Sequence, residues 1–302
     1  ILNHLYLNQY YTELSKHTIL HHTKLQTRFT MSELKMKSVL LAKDFEKVKN
    51  KKPITEYYAS EKFDGYRAIW TGEKFLSRNG KEYTAVPDWF LKSMPPGIYL
   101  DGELWTKRDD FNTCGIFRKK EVVEGEWEKH KVKYKIFDMP LTNKPFEERM
   151  KDLARLVRKQ SRMINKNKDT IPYNPLSITK QTKIKNQAHL DSMYKEIIRV
   201  KGEGLMLREA GSLYEQKRSN TLLKIKPVFD DECIIVGYNP GTGKYEGKLG
   251  SFICILKKNK QVKFKLSGMT DEVRQNYQTT HPVGTIVTFQ YNELTKTGAP
   301  RF

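Results

Sequence analysis

Residues 60–70 read SEKFDGYRAIW, which places Lys62 two residues before an Asp-Gly pair and Arg67 three residues after the aspartate. Taken alone, Lys62 is most simply an exposed charge before a turn. A free lysine is protonated at neutral pH and cannot attack an electrophile. A chemical role therefore requires other side chains nearby that bind a phosphate, a metal ion or a flat base.

The composition indicates a globular protein that binds polyanions. The chain has 302 residues, with 55 Lys+Arg against 35 Asp+Glu, and a net charge of +20. Such an excess attracts nucleic acid, with an anionic membrane surface as the rival partner. No apolar run approaches the roughly 20 residues of a spanning helix, so we expect no membrane insertion.

The cysteines and the N-terminal residues indicate a reducing compartment. Cys114, Cys233 and Cys254 lie far apart, without the CxxC spacing of a zinc site. No secretory signal is visible near the N-terminus. We predict a protein of a reducing, intracellular compartment.

The order of sequence patterns predicts an α+β chain of two domains. Residues 1–30 read as an extension, non-native or disordered, because they hold four of the seven histidines and precede a plausible start at Met31. Residues 31–229 mix alternating strands, such as VKYKIFD at 132–138, with amphipathic helices such as FEERMKDLARLV. Residues 230–302 hold strand-like runs separated by turns, typical of a small all-β barrel.

Four further patterns could surround Lys62. Lys224 and Lys226 lie at i and i+2 in LLKIKP, so on a strand both cations face the same side and suit a phosphate. LDGELW places Asp101 and Glu103 on one face, able to hold a ribose hydroxyl or a divalent metal ion. The third pattern is Glu203, which lies between two glycines. The fourth is Phe137, whose ring is predicted on the same strand face as two lysines; stacking on a base would explain an aromatic ring on this polar face.

Six motifs follow one another along the chain: EKFDGYR, SRNG, YLDGELW, YKIFDMP, EGLMLR and LLKIKP. Taken in this order, they closely resemble the motifs of the covalent nucleotidyltransferase superfamily, and in particular of minimal viral and bacterial ATP-dependent DNA ligases. The resemblance covers roughly residues 40–300. It implies an adenylation domain of antiparallel sheets with flanking helices, followed by an OB-fold barrel. GYNPGTGKYEGKLGSFIC resembles the start of that barrel.

The resemblance assigns roles residue by residue. Lys62 matches the lysine that attacks the α-phosphate of ATP and carries AMP, and Arg78 matches an arginine that grips the 5′-phosphate of a nick. Glu103 and Glu203 match metal-binding acids. The resemblance implies nucleotide contacts for Ser60, Glu61, Asp64, Gly65, Arg67, Glu103, Phe137, Lys224 and Lys226.

The family's reaction has three steps: Lys62 is adenylylated, AMP passes to the 5′-phosphate of the nick, and the 3′-hydroxyl attacks and expels AMP. The resemblance implies ATP and Mg²⁺ as cofactors, with Mn²⁺ as an alternative, and a monomer acting on nicked duplex DNA. Contacts to the DNA backbone would make binding weaken steeply with salt.

The sequence departs from the family at both ends. No large helical DNA-binding domain is expected ahead of the core. The chain stops at Phe302, before the final basic motif of the family, so we expect the OB domain to be incomplete at its C-terminal end. If that motif is absent, the first step should be slow, while sealing of a pre-adenylylated nick could survive.

Three alternatives remain open from the residues. An mRNA-capping guanylyltransferase shares the lysine chemistry but uses GTP, and an RNA ligase usually lacks such an OB barrel. A non-catalytic OB protein that binds nucleic acid would leave Lys62, Glu103, Glu203, Lys224 and Lys226 as coincidence.

Overall fold

The structure is a computed structural model that describes residues 36–295 and 297–301. The predicted extension over residues 1–30 lies outside the described residues. From Lys37 onward the described chain belongs to one compact unit. Within the described ranges, no helix combines the length and the apolar character needed to span a bilayer.

Short strands dominate the chain. In order they are β1 (Leu41–Asp44), β2 (Tyr57–Glu61), β3 (Tyr66–Trp70), β4 (Phe75–Ser77), β5 (Leu100–Trp105), β6 (Lys133–Asp138), β7 (Leu176–Ile178), β8 (Thr182–Lys183), β9 (Leu205–Glu209), β10 (Arg218–Ile225), β11 (Phe229–Pro240), β12 (Leu249–Leu256), β13 (Lys263–Leu266), β14 (Ile286–Tyr291), β15 (Glu293–Leu294) and β16 (Pro300–Arg301).

The helices flank the strands, as predicted. They are α1 (Asp88–Lys92), α2 (Glu126–Lys129), α3 (Phe146–Lys166), α4 (Gln187–Arg199) and α5 (Asp271–Thr280). The helix α3 follows a proline at its N-cap and buries Leu153 and Val157, two residues of the predicted apolar stripe. The helix α4 begins after Asn186, whose side-chain oxygen accepts a hydrogen bond from the His189 backbone N–H at 2.9 Å.

The first sheet has the strand order β1-β10-β9-β2-β8. All of its pairs are antiparallel except β1 with β10, which is parallel. Alternate residues such as Ala59, Leu207 and Leu223 are fully buried in a core that also contains Leu190 of α4. The opposite face of this sheet is therefore left to line a cleft.

The second sheet has the strand order β4-β3-β5-β6-β7, and only the pair β6 with β7 is parallel. The predicted alternation of VKYKIFD is confirmed: Tyr134 and Ile136 are fully buried, while Phe137 is only half-buried. Tyr134 and Ile136 pack in the larger core with Leu153 of α3. Phe137 consequently points to the other face, toward the cleft.

A buried ionic cluster links the two sheets. Asp138, at the end of β6, pairs with Arg149 of α3 at 2.7 Å and with Arg208 of β9 at 2.8 Å, and the three side chains are almost completely buried. Arg149 also donates to the backbone oxygens of Lys144 and Ser212, at 2.6 Å and 2.9 Å. One carboxylate therefore joins a helix and both sheets.

The third sheet belongs to the C-terminal part and has the order β13-β12-β11-β14, entirely antiparallel. Its core includes Cys233, Ile235, Phe252, Cys254 and Phe289. The strand-like runs predicted for residues 230–302 are present as β11 to β14. The domain limits 31–229 and 230–302 stay predictions.

This C-terminal part differs from the predicted all-β barrel in two ways. First, it contains α5, which is capped by the Thr270 hydroxyl. The apolar residues that α5 packs against the core are only Val273 and Tyr277, both partly buried, and this pattern is too weak to predict a helix from the sequence. Second, within the described chain, β13 and β14 are the edges of the third sheet and do not pair with each other, so the strands do not close into a hydrogen-bonded barrel.

Candidate active site

A cavity of about 300 Å³ opens between the first and second sheets. Residues from both sheets line it, and nearly half of them belong to the predicted site. They include Ser60, Glu61, Lys62, Arg67, Arg78, Glu103, Phe137 and Lys224. The fold thus brings together side chains that are as much as 164 positions apart in sequence, from Ser60 to Lys224.

The wall formed by the first sheet is one cross-strand row. Met206 of β9 pairs with Ser60 of β2 on one side and with Lys224 of β10 on the other. Directly paired residues of neighbouring strands share a face, and all three line the cavity. Met206 was missed by sequence reasoning, although it stands two residues from Gly204 in EGLMLR.

The wall formed by the second sheet holds Phe137, with Arg67 beside it. The Arg67 guanidinium carbon lies 5.3 Å from the centre of the Phe137 ring. Arg67 is fixed by Asp101, to which its Nε donates at 2.9 Å, and by the Leu40 backbone oxygen at 2.8 Å. Burial opposes the charge of Arg67, but Asp101 prevails and raises its pKa. Asp101 therefore serves Arg67 instead of a metal ion or a ribose.

Lys62 lies beyond the end of β2 and is held by Glu203. The Lys62 ammonium and the Glu203 carboxylate form an ion pair, and Lys226 binds the other oxygen of the same carboxylate. A carboxylate oxygen of Glu293, from β15, lies 3.9 Å from the Lys226 ammonium nitrogen. Two of the predicted cations thus share one predicted acid, and the C-terminal part contributes a second acid that sequence reasoning missed.

The loop after α4 sets the position of Glu203. Lys201 adopts a left-handed conformation, with φ of 59°, and Gly202 donates to the Ile197 oxygen at 2.8 Å, which closes the helix. A Cβ atom on Gly204, where φ is 140°, would lie 2.1 Å from the Ile225 oxygen. The Gly204 oxygen accepts a hydrogen bond from the Lys62 backbone N–H at 2.9 Å, which ties the loop to the nucleophile candidate.

Glu103 of β5 has a different environment from Glu203. Burial raises the pKa of Glu103 to about 8, although Lys62 and Arg67 act in the opposite direction. Within the described chain, no lysine or arginine lies within ion-pair distance of its carboxylate. Gly65 lets the backbone after Lys62 pass close to Glu103. A Cβ atom on Gly65 would lie 2.3 Å from the Leu104 oxygen and 3.0 Å from the Glu103 Cγ.

The remaining predicted residues lie around this centre. Glu61 receives two hydrogen bonds from Arg108, each of 2.7 Å. Asp64 lines a second cavity of about 750 Å³, which also borders Lys62 and Glu203. Arg78 is exposed at the edge of the first cavity. Its exposure suits a contact to a ligand that reaches beyond the cleft.

The donor set suits a divalent cation only in part. The residues described contain no group of three or more His, Cys, Asp or Glu side chains arranged for a metal ion. Glu103 fits, because burial raises its pKa and a bound cation would favour the ionised carboxylate. Glu203 would first have to release Lys62 or Lys226. Mg²⁺ commonly uses one or two carboxylates together with substrate phosphates.

The crossover between β7 and β8 closes one end of the cleft. Thr179 donates its backbone N–H to the Ile136 oxygen at 2.7 Å, beside Phe137, and Thr182 pairs with Ala59, beside Ser60. Thr179 lines the cavity, and its buried hydroxyl has no hydrogen-bond partner among the described residues. The sequence carries no signal for this wall, because it depends on the pairing of two very short strands.

Two protein-family models match the chain. The ATP dependent DNA ligase domain matches residues 36–226, and the DNA ligase OB-like domain matches residues 240–302. The first match alone covers more than half of the chain.

Individual relatives agree with these matches. The DNA ligase of Haemophilus influenzae is 31% identical over 254 residues, which cover 84% of this chain and 87% of that protein. One similar solved structure is a Lig E DNA ligase, from a structure–function study of DNA binding with a minimal scaffold. It is 29% identical to this chain, with a TM-score of 0.70, and the alignment covers 88% of this chain and 96% of the Lig E chain. A further solved structure, Pmar-Lig_Pre, supports the fold, with a TM-score of 0.67, 21% identity, and coverage of 87% of this chain and 64% of its own.

These matches favour none of the alternatives of a capping enzyme, an RNA ligase or a non-catalytic OB protein. They agree with the cleft described above and with an OB-like C-terminal part. The chain belongs to the ATP-dependent DNA ligases.

Proposed function

We propose that this ligase seals nicks in duplex DNA and that Lys62 is the residue that carries AMP. The observation that supports this most directly is the position of Lys62. It lies at the border of two cavities, next to Glu203, and opposite walls of the first cavity supply Phe137 and Met206.

The first step follows from the contacts of Lys62. Its Nζ attacks the α-phosphorus of ATP, a nitrogen–phosphorus bond forms, and the bond to the β-phosphate oxygen breaks to release pyrophosphate. The attacking nitrogen must lose a proton. Glu203, already hydrogen-bonded to Lys62, is the acceptor that we propose. Lys226, which binds the other oxygen of the Glu203 carboxylate, would help to neutralise its negative charge.

The nucleotide would occupy the cavity of about 300 Å³. Adenine would stack on Phe137 from one side and contact Met206 from the other, because the two side chains belong to opposite walls. Lys224 would approach the α-phosphate. Burial and the neighbouring Lys226 lower the pKa of Lys224, and a phosphate would restore the favourable surroundings of its charged form.

We further propose that Mg²⁺ takes part. Glu103 would hold it together with the phosphates of ATP, and Glu203 could join once it releases a lysine. When bound, the ion supplies positive charge for the phosphates. Glu103 itself would then act as a carboxylate, since the added cation favours its ionised form.

The later steps concern the DNA. The 5′-phosphate oxygen of the nick attacks the phosphorus of lysyl-AMP, which breaks the nitrogen–phosphorus bond. The 3′-hydroxyl then attacks the 5′-phosphate and AMP leaves. Arg78, exposed at the edge of the cavity, would bind that 5′-phosphate. We propose a monomer for these steps. The intracellular setting predicted from the cysteines stays a prediction.

The test of Lys62 is the mass of the intact protein after incubation with Mg²⁺ and either ATP or GTP. Lys62→Ala is compared with Lys74→Ala. Lys74 is an exposed lysine outside the cleft, and its ammonium lies 2.7 Å from the Glu82 carboxylate. We expect a gain of one AMP with ATP alone, present in Lys74→Ala and absent in Lys62→Ala.

Other outcomes have definite meanings. An AMP adduct that persists in Lys62→Ala would assign the nucleophile to another residue, and a GMP adduct would contradict the choice of nucleotide. If neither nucleotide gives an adduct, a pre-adenylylated nick is supplied instead. Sealing of that nick would confine the defect to the first step, whereas no sealing would overturn the proposal.

A further inference from the structure

A row of basic side chains runs along the exposed face of α3, away from the proposed active site. We call it the basic stripe. Its members are Lys151, Arg155, Arg158, Lys159, Arg162 and Lys166, and all six are exposed.

The stripe has a regular helical geometry. At 100° per residue, its six members fall within an arc of about 100°. The buried residues of the same helix, among them Leu153, Val157 and Ile164, centre on the opposite side of the helical wheel. The stripe therefore stands about as far from the protein core as a helix permits, and its side chains point to solvent.

The positive charge of the stripe is poorly compensated. Residues 153–168 contain six basic and no acidic residues. Arg155 pairs with Asp152, an exposed contact within the helix. Within the described ranges, Arg158, Lys159, Arg162 and Lys166 make no ion pair with a carboxylate. An ordinary solvated helix surface mixes both signs, so this clustering indicates an anionic partner.

The stripe lies on the other side of the second sheet from the cleft. The apolar face of α3 packs on Tyr134 and Ile136 of β6, whereas Phe137 of the same strand lines the cavity. Consecutive residues of a strand face opposite sides of its sheet. A straight duplex held at the cleft would therefore not reach the stripe.

We propose that the basic stripe is a second binding surface for duplex DNA, separate from the surface that holds the nick. From Lys151 to Lys166 the helix rises about 22 Å, which matches about six phosphates of one strand at 3.4 Å per phosphate along the duplex axis. The contacts would be to the backbone and independent of sequence.

The helix itself argues against a membrane as the partner. A helix that lies on a bilayer places apolar side chains into it beside the basic ones. Here the large apolar side chains of α3 are turned inward, and even the partly buried Leu156 and Met163 pack against the core. Duplex DNA also offers regularly spaced phosphates along a rigid axis, which suits a rigid row of cations.

The test uses the full chain, first loaded with a short nicked duplex so that the cleft is occupied. Binding of a second, labelled, un-nicked 40-bp duplex is then measured against salt concentration. The stripe variant is R158Q/K159Q/R162Q/K166Q. The control variant, K47Q/K49Q/K185Q/K195Q, removes the same charge from exposed lysines on the side of the first sheet.

We expect the stripe variant to bind the second duplex at least tenfold more weakly, with a salt slope reduced by about 3.6 for four lost phosphate contacts. The control variant should keep both quantities near wild type. Sealing of the short nick should be unchanged in both variants, which separates this proposal from that for the active site. Melting temperatures should also be unchanged, since the substituted side chains are exposed.

Several results would overturn the proposal. An equal loss of affinity for the second duplex in both variants would show that only the net charge matters. An unchanged affinity in the stripe variant would show that the stripe is only a solvated surface. If the stripe variant lost affinity for duplex RNA or for vesicles of anionic lipid but kept its affinity for DNA, the partner would be one of those instead.

Discussion

Glu103 and Glu203 both lie near Lys62, and their electrostatic surroundings are opposite. Glu203 shares its carboxylate between Lys62 and Lys226, whereas burial raises the pKa of Glu103 to about 8. One carboxylate is thus paired with two lysines, whereas burial favours the protonated form of the other until a cation arrives. The sequence predicted both acids but not this difference, since it depends on which lysines reach which carboxylate.

This difference predicts a pH-dependent stability in the protein without nucleotide or metal. The pKa of Glu103 rises from an ordinary 4.5 to about 8 on folding. The folded state therefore holds an extra proton between these values, and its stabilisation is fully present below pH 4.5 and is lost as the pH rises through 8. Glu103→Gln should match wild type near pH 4.5 and become the more stable protein by pH 9.

The measurement is the melting temperature across this range, with a chelator present and nucleotide omitted. About 2–4 °C is expected per kcal/mol for a domain of this size. Glu82→Gln, at an exposed hairpin acid, is the control and should give a difference from wild type that is independent of pH. A constant difference for Glu103→Gln as well would contradict the assignment.

Single strands and helices could largely be predicted from the sequence. The strand 133–138 and the helix that begins at Phe146 follow from local periodicity, and both were predicted. The cluster of Asp138, Arg149 and Arg208 could not be predicted, because it joins three elements separated by up to 70 residues. Arg149 even lies on the buried face of its helix, where a charge contradicts the local pattern and is accommodated only by the distant carboxylate.

This cluster predicts a large loss of stability from a single substitution at the level of helix packing. Arg149→Met leaves Asp138 with one of its two cations and removes donors from two backbone oxygens. Breaking a buried ion pair costs about 3–5 kcal/mol, so we expect the melting temperature to fall by about 6–20 °C.

Asp152→Asn on the same helix provides the comparison. Its ion pairs with Lys144 and Arg155 are exposed, and such pairs contribute about 0–1 kcal/mol each. A similar change in melting temperature for both variants would show that the buried cluster contributes no more than a surface contact.

The whole molecule carries its net charge of +20 on a scaffold whose cores are apolar. Binding of a nicked duplex should therefore weaken steeply with salt, with the logarithm of affinity falling by about 0.9 for each phosphate contacted per tenfold increase in salt. Folding should respond much less, because it depends on three apolar cores and on buried ion pairs that salt screens poorly.

The measurement pairs a salt titration of DNA binding with melting temperatures over the same range. A slope that corresponds to fewer than about two phosphates would contradict an electrostatic clamp. A melting temperature that fell in parallel with affinity would instead show that salt weakens binding through the fold.

The crossover from Thr179 to Thr182 has a mechanical consequence for the cleft. It fastens β6 to β2 at the end where Phe137 and Ser60 lie, so the two sheets are least able to separate there. Any widening should be greatest away from this crossover, toward the edge of the cavity where Arg78 is exposed. The base would then meet a template of nearly constant width, while the phosphates would occupy the part of the cleft that can adjust as pyrophosphate departs and DNA arrives.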